Sequence, residues 1–422
     1  MMKFTIHNLR MISSRIHNNW WVLGELFLVF IVMWFLCDFL GCMKYTFYQP
    51  LGYNIDHVYR LETALGGEKQ DTAMTTGAKK LELMHRLERV PGIEAAGIDY
   101  WSLPMSGANS YTGYAVTDSI SISARLITVT EGYMKVFRFG YENPARTMDN
   151  MRKSGGEVML SKNAFDELKE AYPTFSLDSR LDRGEHKYGI VQHGVVSAFR
   201  SYRYGGQASW AFNRLGDEDV QEIESGGGWG GITFRVKPEA DTPDFRQHFL
   251  DKIAPTLDVD NLFIVDAVPY TTMRDRFETL RGDTDRVNTH TVIILFLLAN
   301  VFLGLIGTFW FRTRRRRSEI ALRLSVGSSR KQIFRLLVGE GLLLLTLVAI
   351  PAAIVCYSAA LSEPTLGNSA LITINPVEWN FVRFLLGTIA AWVLIAAMIL
   401  LGIWFPARQA MKIQPAEALR EE

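Results

Sequence analysis

Side chains that could ligate a metal or act as nucleophiles are sparse in this chain of 422 residues. His186 and His193 stand seven positions apart, and no third ligand is evident nearby in the sequence. The cysteines Cys37, Cys42 and Cys356 lie in or beside apolar segments and show no metal-type spacing. No serine, histidine and acid grouping has a recognisable nucleophile context. We therefore expect no metal site and no catalytic centre, and we do not expect the chain to be an enzyme.

The sequence also lacks a nucleotide-binding motif. No G-x-x-x-x-G-K-[ST] phosphate loop occurs in it. Gly205, Gly206 and Gln207 faintly resemble a transporter-ATPase signature, but the preceding Leu-Ser is missing, so a turn is expected there. Gly226–Gly228 predict a flexible loop. The net charge of +1 gives no indication of nucleic-acid binding.

The densest positive charge lies in Arg312–Glu340, between two strongly apolar segments. Ser318 can cap a helix start, and Glu319 in the first turn suits the helix dipole. Arg323 follows Glu319 at i+4, the favourable order for an ion pair within a helix. These residues predict a short helix, Ser318–Val326. An ordinary basic loop that only fixes membrane topology is the alternative for this segment.

A break and a second helix start follow this helix. Gly327 can adopt a left-handed turn without a Cβ clash, which suits a helix C-terminus. Ser329 and Gln332 have the spacing of a capping box. The sequence therefore predicts a short, stiff helix that a tight turn joins to a membrane-spanning helix.

Four apolar segments are long enough to cross a bilayer, which takes about 20 residues. They are residues 20–42, 287–311, 336–357 and 382–405, and residues 1–19 before them predict an amphipathic helix at the membrane surface. A cleaved signal peptide is the alternative for the first segment. We favour an uncleaved span, because the segment is long and lacks a small-residue cleavage pattern.

Charged residues interrupt the spans near their ends. Glu25 and Asp38 lie near opposite ends of the first span, so we interpret them as interfacial residues. Contacts with other spans are the alternative role for these two carboxylates. Arg383 begins the fourth span, and its long side chain is expected to reach the membrane interface.

Residues 45–286 contain no spanning segment and show mixed α and β patterns. We expect two subdomains, one from Tyr45–Leu126 with Gly230–Arg286 and one from the residues between them. The fold class is therefore a membrane protein with four transmembrane α-helices and a large α/β (α+β) extracytoplasmic domain between the first two. The predicted helices of the domain are Thr76–Val90, Asn163–Ala171 and Thr242–Leu257, and the predicted strands are Ile122–Val129, Glu157–Leu160, Gly189–Val196, Gly231–Val236 and Asn261–Val268.

Lysine and arginine placement predicts the orientation. The N-terminal lead, the loop 312–335 and the tail 406–422 are basic, and four spans place all three on one side, expected to be the cytoplasm. The loop 361–380 and the large domain then lie on the opposite side.

The cytoplasmic segment E-I-A-L-R-L-S-V-G-S-S-R-K-Q-I resembles that of the MacB/FtsX/LolC-type ABC transporter permeases. Ala321 departs from the family's usual glycine. The resemblance assigns ATPase coupling to Ser318, Glu319, Ile320, Arg323, Leu324, Gly327 and Ser328. It extends to motif residues of structural role, which are Ile333, Glu340, Pro406, Arg408, Ala410, Pro415, Glu417, Ala418, Leu419 and Arg420.

The resemblance implies a permease subunit in a bacterial inner membrane, with ATP and Mg²⁺ on a separate cytoplasmic ABC ATPase and no cofactor on this chain. A second permease chain, identical or different, is implied as a partner, and a periplasmic adaptor and outer-membrane channel belong to the efflux branch. Efflux and lipoprotein or envelope transport are the expected roles. A membrane-anchored sensor or scaffold, an FtsX-like regulator of cell-wall hydrolases, and a membrane enzyme are the alternatives.

Overall fold

The structure of the chain, a computed structural model, describes residues 16–67, 74–100, 104–105, 110–152, 156–183, 186–222, 230–315, 322, 326–361, 377 and 379–410. The chain divides into two compact units. Thr46–Asp283 form one unit, called here the domain, and the described residues before and after it form the other, called the helical unit.

The described residues form the following helices and strands, given in chain order. They are α1 (Ile16–Tyr48), β1 (Val58–Leu65), α2 (Thr76–Glu88), β2 (Ile93–Tyr100), β3 (Tyr111–Thr117), β4 (Ile120–Val129), α3 (Glu131–Phe137), β5 (Glu157–Ser161), α4 (Lys162–Ala171), β6 (Arg180–Arg183), β7 (His186–Val196), β8 (Trp210–Arg214), α5 (Asp217–Gln221), β9 (Gly231–Val236), α6 (Phe245–His248), α7 (Ala254–Leu257), β10 (Leu262–Pro269), α8 (Tyr270–Arg281), α9 (Asp283–Arg315), α10 (Arg330–Leu361) and α11 (Phe381–Ala410).

Four of these helices are long and apolar enough to cross a membrane. The candidate spans among the described residues are Leu23–Tyr48, Asp283–Gly304, Lys331–Leu361 and Phe381–Trp404. Each of the four helices contributes buried residues to one shared core, which contains Phe30, Leu298, Leu345 and Ile399. The four helices that the sequence predicts are therefore confirmed, and each extends beyond its apolar segment.

The strands of the domain join in one sheet with the order β10-β1-β9-β2-β4-β3-β6-β7-β5-β8. β4 also pairs with β8 in parallel, through Arg125–Val129 and Trp210–Arg214. Six strands, β4, β3, β6, β7, β5 and β8, consequently close into a small barrel, and β10, β1, β9 and β2 extend from it as an open sheet. The expected division into two folding subdomains stays a prediction.

Alternating apolar residues explain why these strands have a covered face. In the open sheet, Ile98, Ile232 and Phe234 are buried under α2 together with Leu83 and Leu87. A separate cluster fills the barrel, with Tyr114, Ala124 and Leu181 among its fully buried members. Gly97 and Gly132 bring β2 and the start of α3 into backbone contact, since a Cβ on Gly132 would meet the Ala96 carbonyl oxygen at 1.9 Å.

The eight domain elements predicted from sequence are present, with boundaries shifted by a few residues. The predicted helix Thr242–Leu257 is interrupted, because a π-helical turn, Phe249–Ile253, separates α6 from α7. Pro255 stands at the start of α7 and has no N–H for the regular i−4 bond, which accounts for the interruption. The elements that the sequence analysis missed are β1, β2, β3, β6, β8, α3, α5 and α8.

Candidate functional site

The described part of the predicted coupling segment is the turn before α10. Gly327 has φ +97°, a conformation that costs a residue with a Cβ but not glycine. Just before the glycine, the Val326 N–H donates to the Leu322 carbonyl oxygen over 3.0 Å. Gly327 therefore takes the left-handed conformation that the sequence predicts for it.

A reciprocal capping box starts α10. The Ser329 N–H donates to Gln332 Oε1 over 2.8 Å, and the Gln332 N–H donates to Ser329 Oγ over 3.3 Å. Both bonds satisfy backbone donors that have no partner inside a helix. Helix α10, the third spanning helix, therefore begins directly after the Gly327 turn. The cap predicted at Ser329 and Gln332 is confirmed.

Of the other residues predicted to couple to an ATPase, the structure describes only Ser328. Ser328 lies in the turn and is half-buried. Ser318, Glu319, Ile320, Arg323 and Leu324 lie outside the described residues, as do Pro415, Glu417, Ala418, Leu419 and Arg420. Their assigned roles stay predictions.

Motif residues within α10 face the interior of the helical unit. Ile333 is 2% exposed and Leu337 is 5% exposed, and both belong to the core shared by the spanning helices. Glu340 is also buried. These residues attach the start of α10 to the other helices of the unit.

The C-terminal motif begins inside a helix. α11 continues to Ala410 and thus includes Pro406, Arg408 and Ala410. The predicted span ends at residue 405, and the helix continues for five residues beyond it. A proline removes one backbone donor and one helical hydrogen bond, whereas the bonds of the residues after it can still form.

An ion pair connects the first and last spanning helices. Arg383 Nη2 lies 2.6 Å from Asp38 Oδ2, and Arg383 Nε lies 2.8 Å from Asp38 Oδ1. Arg383 Nη1 also donates to the Val377 carbonyl oxygen over 2.9 Å. The two side chains are only 7% and 6% exposed. Contact with another span, the alternative role that the sequence left open for Asp38, is therefore what the structure shows, and the position of Asp38 and Arg383 at the membrane interface stays a prediction.

In the domain, Arg200 is a buried cation bonded to backbone carbonyls. Its guanidinium donates to the carbonyl oxygens of Thr46 over 2.6 Å, of Arg203 over 2.8 Å and of Pro50 over 3.3 Å, and also to that of Gln49. Thr46 belongs to the last turn of α1, and its carbonyl oxygen also accepts from the Gln49 N–H over 3.1 Å. Arg200 therefore caps the segment by which the chain enters the domain. Burial lowers the pKa of this guanidinium from its usual value.

Arg203, three residues later, holds the segment by which the chain leaves the domain. Its Nε donates to Glu278 Oε1 over 2.7 Å, and Nη2 contacts the other carboxylate oxygen. Glu278 lies on α8 and is 2% exposed. The guanidinium also stands 4.7 Å from the ring centroid of Phe47 at the entry segment. The loop Arg200–Gly205 thus binds both chain connections of the domain, and we call it the entry–exit loop.

Sequence reasoning missed the entry–exit loop. The signal was the run F-R-S-Y-R-Y at Phe199–Tyr204, in which arginines alternate with aromatic residues between two β-patterned segments. Such a run occurs equally in loops that face solvent. Its partners Thr46 and Glu278 lie far away in sequence, so the run alone does not predict these contacts.

A polar cleft of about 310 Å³ lies on the domain between α2, α3 and α5. Glu88, Glu94, Glu131 and Asp217 stand in its wall beside cationic side chains, and Glu131 pairs with Arg214. Partial burial raises the pKa of Glu88. Among the described residues, no group of three or more histidine, cysteine or acidic side chains is arranged to hold a metal ion.

Comparison with known proteins gives one family match. Residues 291–415 match the family described as FtsX-like permease C-terminal. This region contains most of α9, all of α10 and α11, and the coupling segment between them. No curated protein matches the chain.

Two solved structures resemble the domain distantly. The periplasmic region of MacB from Actinobacillus actinomycetemcomitans is 15% identical, with a TM-score of 0.34, and the similarity covers 55% of this chain and 97% of that one. The extracellular domain of the noncanonical ABC-type transporter YknZ from Gram-positive bacteria is 11% identical, with a TM-score of 0.30, covering 50% and 100%. Similarities this low carry no functional argument by themselves. Residues 291–415 are therefore similar to the C-terminal region of FtsX-like permeases, in a chain with four helices long and apolar enough to cross a membrane.

Proposed function

We propose that this chain receives movement from a separate cytoplasmic ABC ATPase and transmits it to its domain on the other side of the membrane. The observation that carries the proposal is the junction at Gly327–Gln332, where a left-handed turn and a capping box join the coupling segment to α10. A loose loop would absorb a displacement, whereas a capped helix start passes it on. The family match over the same region supports an ATPase partner.

Contacts within each unit support a path for such movement. In the helical unit, Ile333 and Leu337 pack α10 into the shared core, and Asp38–Arg383 joins α1 to α11. In the domain, the entry–exit loop holds Thr46 of the entry segment and Glu278 of the exit segment. Both chain connections are consequently attached to one loop, so the domain would respond to movement of either.

The orientation proposed for the chain has both termini and the coupling segment in the cytoplasm. Basic residues in the loop 312–335 support this orientation. The domain then lies outside the cytoplasm, where its work would be efflux or transport of lipoproteins or other envelope components. The chain itself would hold no cofactor, because ATP and Mg²⁺ belong to the partner.

The test is reconstitution with the ABC ATPase encoded nearest to this chain. We expect the two proteins to co-purify and the permease to change the rate of ATP hydrolysis. Glu319→Lys and Gly327→Pro should abolish both effects. Glu170→Lys, an exposed substitution on α4 of the domain, is the matched charge control and should leave them unchanged.

Two outcomes would contradict the proposal. If the coupling variants bind and stimulate the ATPase like the unchanged chain, the segment is not the receiver. If Ser328→Cys and Asp118→Cys are labelled from the same side of intact cells, the proposed topology is wrong. A chain that binds no ATPase would instead fit the sensor or scaffold alternative.

A further inference from the structure

His193, one of the two histidines noted in the sequence, has an acceptor at each of its ring nitrogens. Its Nε2 lies 3.0 Å from Asn150 Oδ1, and its Nδ1 lies 3.2 Å from Glu157 Oε2. The side chains of His193 and Glu157 are only 13% and 11% exposed. The histidine lies on β7 and the glutamate on β5, which pair in parallel within the barrel. The ring therefore joins these two strands to residues 145–152, called here the latch loop.

The amide of Asn150 can be oriented in only one way. Its Nδ2 donates to the Ala145 carbonyl oxygen over 2.7 Å, and its Oδ1 accepts from the Thr147 N–H over 3.0 Å. Exchanging the amide oxygen and nitrogen would place donor against donor and acceptor against acceptor at these two contacts. The atom that faces His193 is therefore an acceptor, and Nε2 must carry a hydrogen.

Glu157 imposes the same condition on the other ring nitrogen. Its Oε2 accepts from the Arg152 N–H over 2.8 Å, and its Oε1 lies 3.3 Å from Arg152 Nε. Both contacts suit an ionised carboxylate, which has no hydrogen to donate, so Nδ1 of His193 must donate as well. Since neutral imidazole has one N–H and one lone pair, a ring that donates from both nitrogens is the imidazolium.

The other charged side chains near His193 come as compensated pairs. Arg146 of the latch loop donates from Nη1 to the His193 carbonyl oxygen over 3.1 Å, and it pairs with Asp178. Arg152 pairs with Glu157. Among the described residues, these four are the charged groups in contact with His193 or with its ring partners. Neither arginine is therefore an uncompensated positive charge beside the imidazolium.

We propose that His193 is a pH-sensitive latch, which holds the latch loop against β5 and β7 when it is protonated and releases the loop when it loses a proton. The negative charge of Glu157 keeps the remaining proton on Nδ1. Loss of the Nε2 proton leaves a lone pair facing Asn150 Oδ1, so two acceptors face each other and the hydrogen bond is gone. Histidine ordinarily changes charge between pH 5 and pH 8. The latch is consequently closed at acidic pH and opens as pH rises.

The latch loop also holds two cations of the polar cleft. Lys135 Nζ lies 3.3 Å from Asp149 Oδ1, and Arg214 Nη1 donates to the carbonyl oxygens of Asp149 and Met151 over 2.8 Å and 2.6 Å. Lys135 and Arg214 both line the cleft, where Arg214 also pairs with Glu131. Release of the loop therefore loosens the hold on both cations, and pH acts on the charges in the cleft wall.

The inference goes beyond the proposed function and depends on neither an ATPase nor a membrane orientation. With the orientation proposed above, the domain would experience the pH outside the cytoplasm, and the latch would respond to that pH.

The experiment is hydrogen exchange of the full chain in detergent, measured by mass spectrometry between about pH 5.5 and pH 8.5 and corrected for the intrinsic effect of pH on exchange. We expect exchange at residues 145–152 to rise about tenfold across this range, as for loss of one hydrogen bond to a charged group. Strand β4 of the same barrel is the internal control for folding and should stay protected at every pH.

Two variants assign the change to His193. His193→Gln removes the titrating ring, so exchange of the latch loop should no longer depend on pH. His248→Gln is its matched control, because His248 is exposed on α6 of the open sheet, and this variant should behave like the unchanged chain. Glu157→Gln keeps the shape of the carboxylate but removes its charge, so the midpoint of release should move to lower pH. A merely structural role for His193 would not move this midpoint.

Latch-loop exchange that is independent of pH in the unchanged chain would overturn the proposal without any variant. It would also be overturned if His193→Gln kept the pH dependence while β4 stayed protected, or if Glu157→Gln left the midpoint where it was. None of these outcomes bears on the ATPase reconstitution, so failure of the latch and failure of the coupling can be told apart.

Discussion

Arg383 and Asp38 form a bidentate ion pair in which Nη2–Oδ2 measures 2.6 Å and Nε–Oδ1 measures 2.8 Å. The pair joins the first and last spanning helices, and little of either side chain is exposed. Trp34 supports the same contact, because its Nε1 donates to Thr388 Oγ1 over 3.1 Å. Two polar links therefore hold α1 against α11 amid otherwise apolar packing.

Removing one partner of the Asp38–Arg383 pair should destabilise the helical unit more than removing both. Asp38→Asn or Arg383→Gln leaves an uncompensated buried charge, which costs about 3–5 kcal/mol. The double variant should recover most of that loss. Thermal unfolding of the purified protein in detergent measures the four members of this cycle. Additive effects would mean that the two side chains do not act as a pair.

Arg200→Met should loosen the entry segment of the domain. The substitution keeps much of the side-chain volume but removes the donor to the carbonyl oxygens of Gln49 and Pro50 and leaves that of Thr46 with the Gln49 N–H alone, at a cost of about 3 kcal/mol. We expect faster hydrogen exchange at residues 46–54 of the full chain. Arg125→Met is the control, because Arg125 also contacts aromatic rings but does not touch this segment. Unchanged exchange in Arg200→Met would contradict the role given to the entry–exit loop.

Ser329→Ala should weaken the start of α10 without unfolding the chain. Loss of an N-cap costs about 1 kcal/mol, so amide exchange in the first turn of the helix should rise by about fivefold. Gly327→Ala should have an effect of similar size, because its φ of +97° strains any residue with a Cβ. Ser358→Ala near the other end of the helix is the matched control. If the proposed coupling is correct, both cap variants also lower ATPase stimulation while ATPase binding persists.

The Arg246–Asp266 pair predicts a small acid sensitivity of the open sheet. The hydrogen bonds from Arg246 hold the pKa of Asp266 below its usual value. A carboxyl group with a depressed pKa in the folded state stabilises the protein at neutral pH, and this contribution is lost as pH falls through the acid range below about 4. Unfolding temperatures measured between pH 7 and pH 3 should fall less for Asp266→Asn than for the unchanged chain. Parallel curves would show that the pair contributes nothing measurable.

Apolar length and local capping are properties of contiguous residues, and the sequence by itself determined the features that depend on them. The four spanning helices, the left-handed Gly327 and the Ser329–Gln332 box follow from neighbours within one or two helical turns. The predicted domain strands, such as Gly231–Val236, are similarly read from β-branched runs.

Tertiary structure alone decided which distant groups meet. Asp38 and Arg383 are 345 positions apart, and Arg200 lies 154 positions from Thr46. A charge near a span end can face water or a partner, and only the packing of α1 against α11 selects the partner. Pairing of β4 with β8 is equally nonlocal, so the barrel and the loop that holds both chain connections could not be inferred from any local pattern.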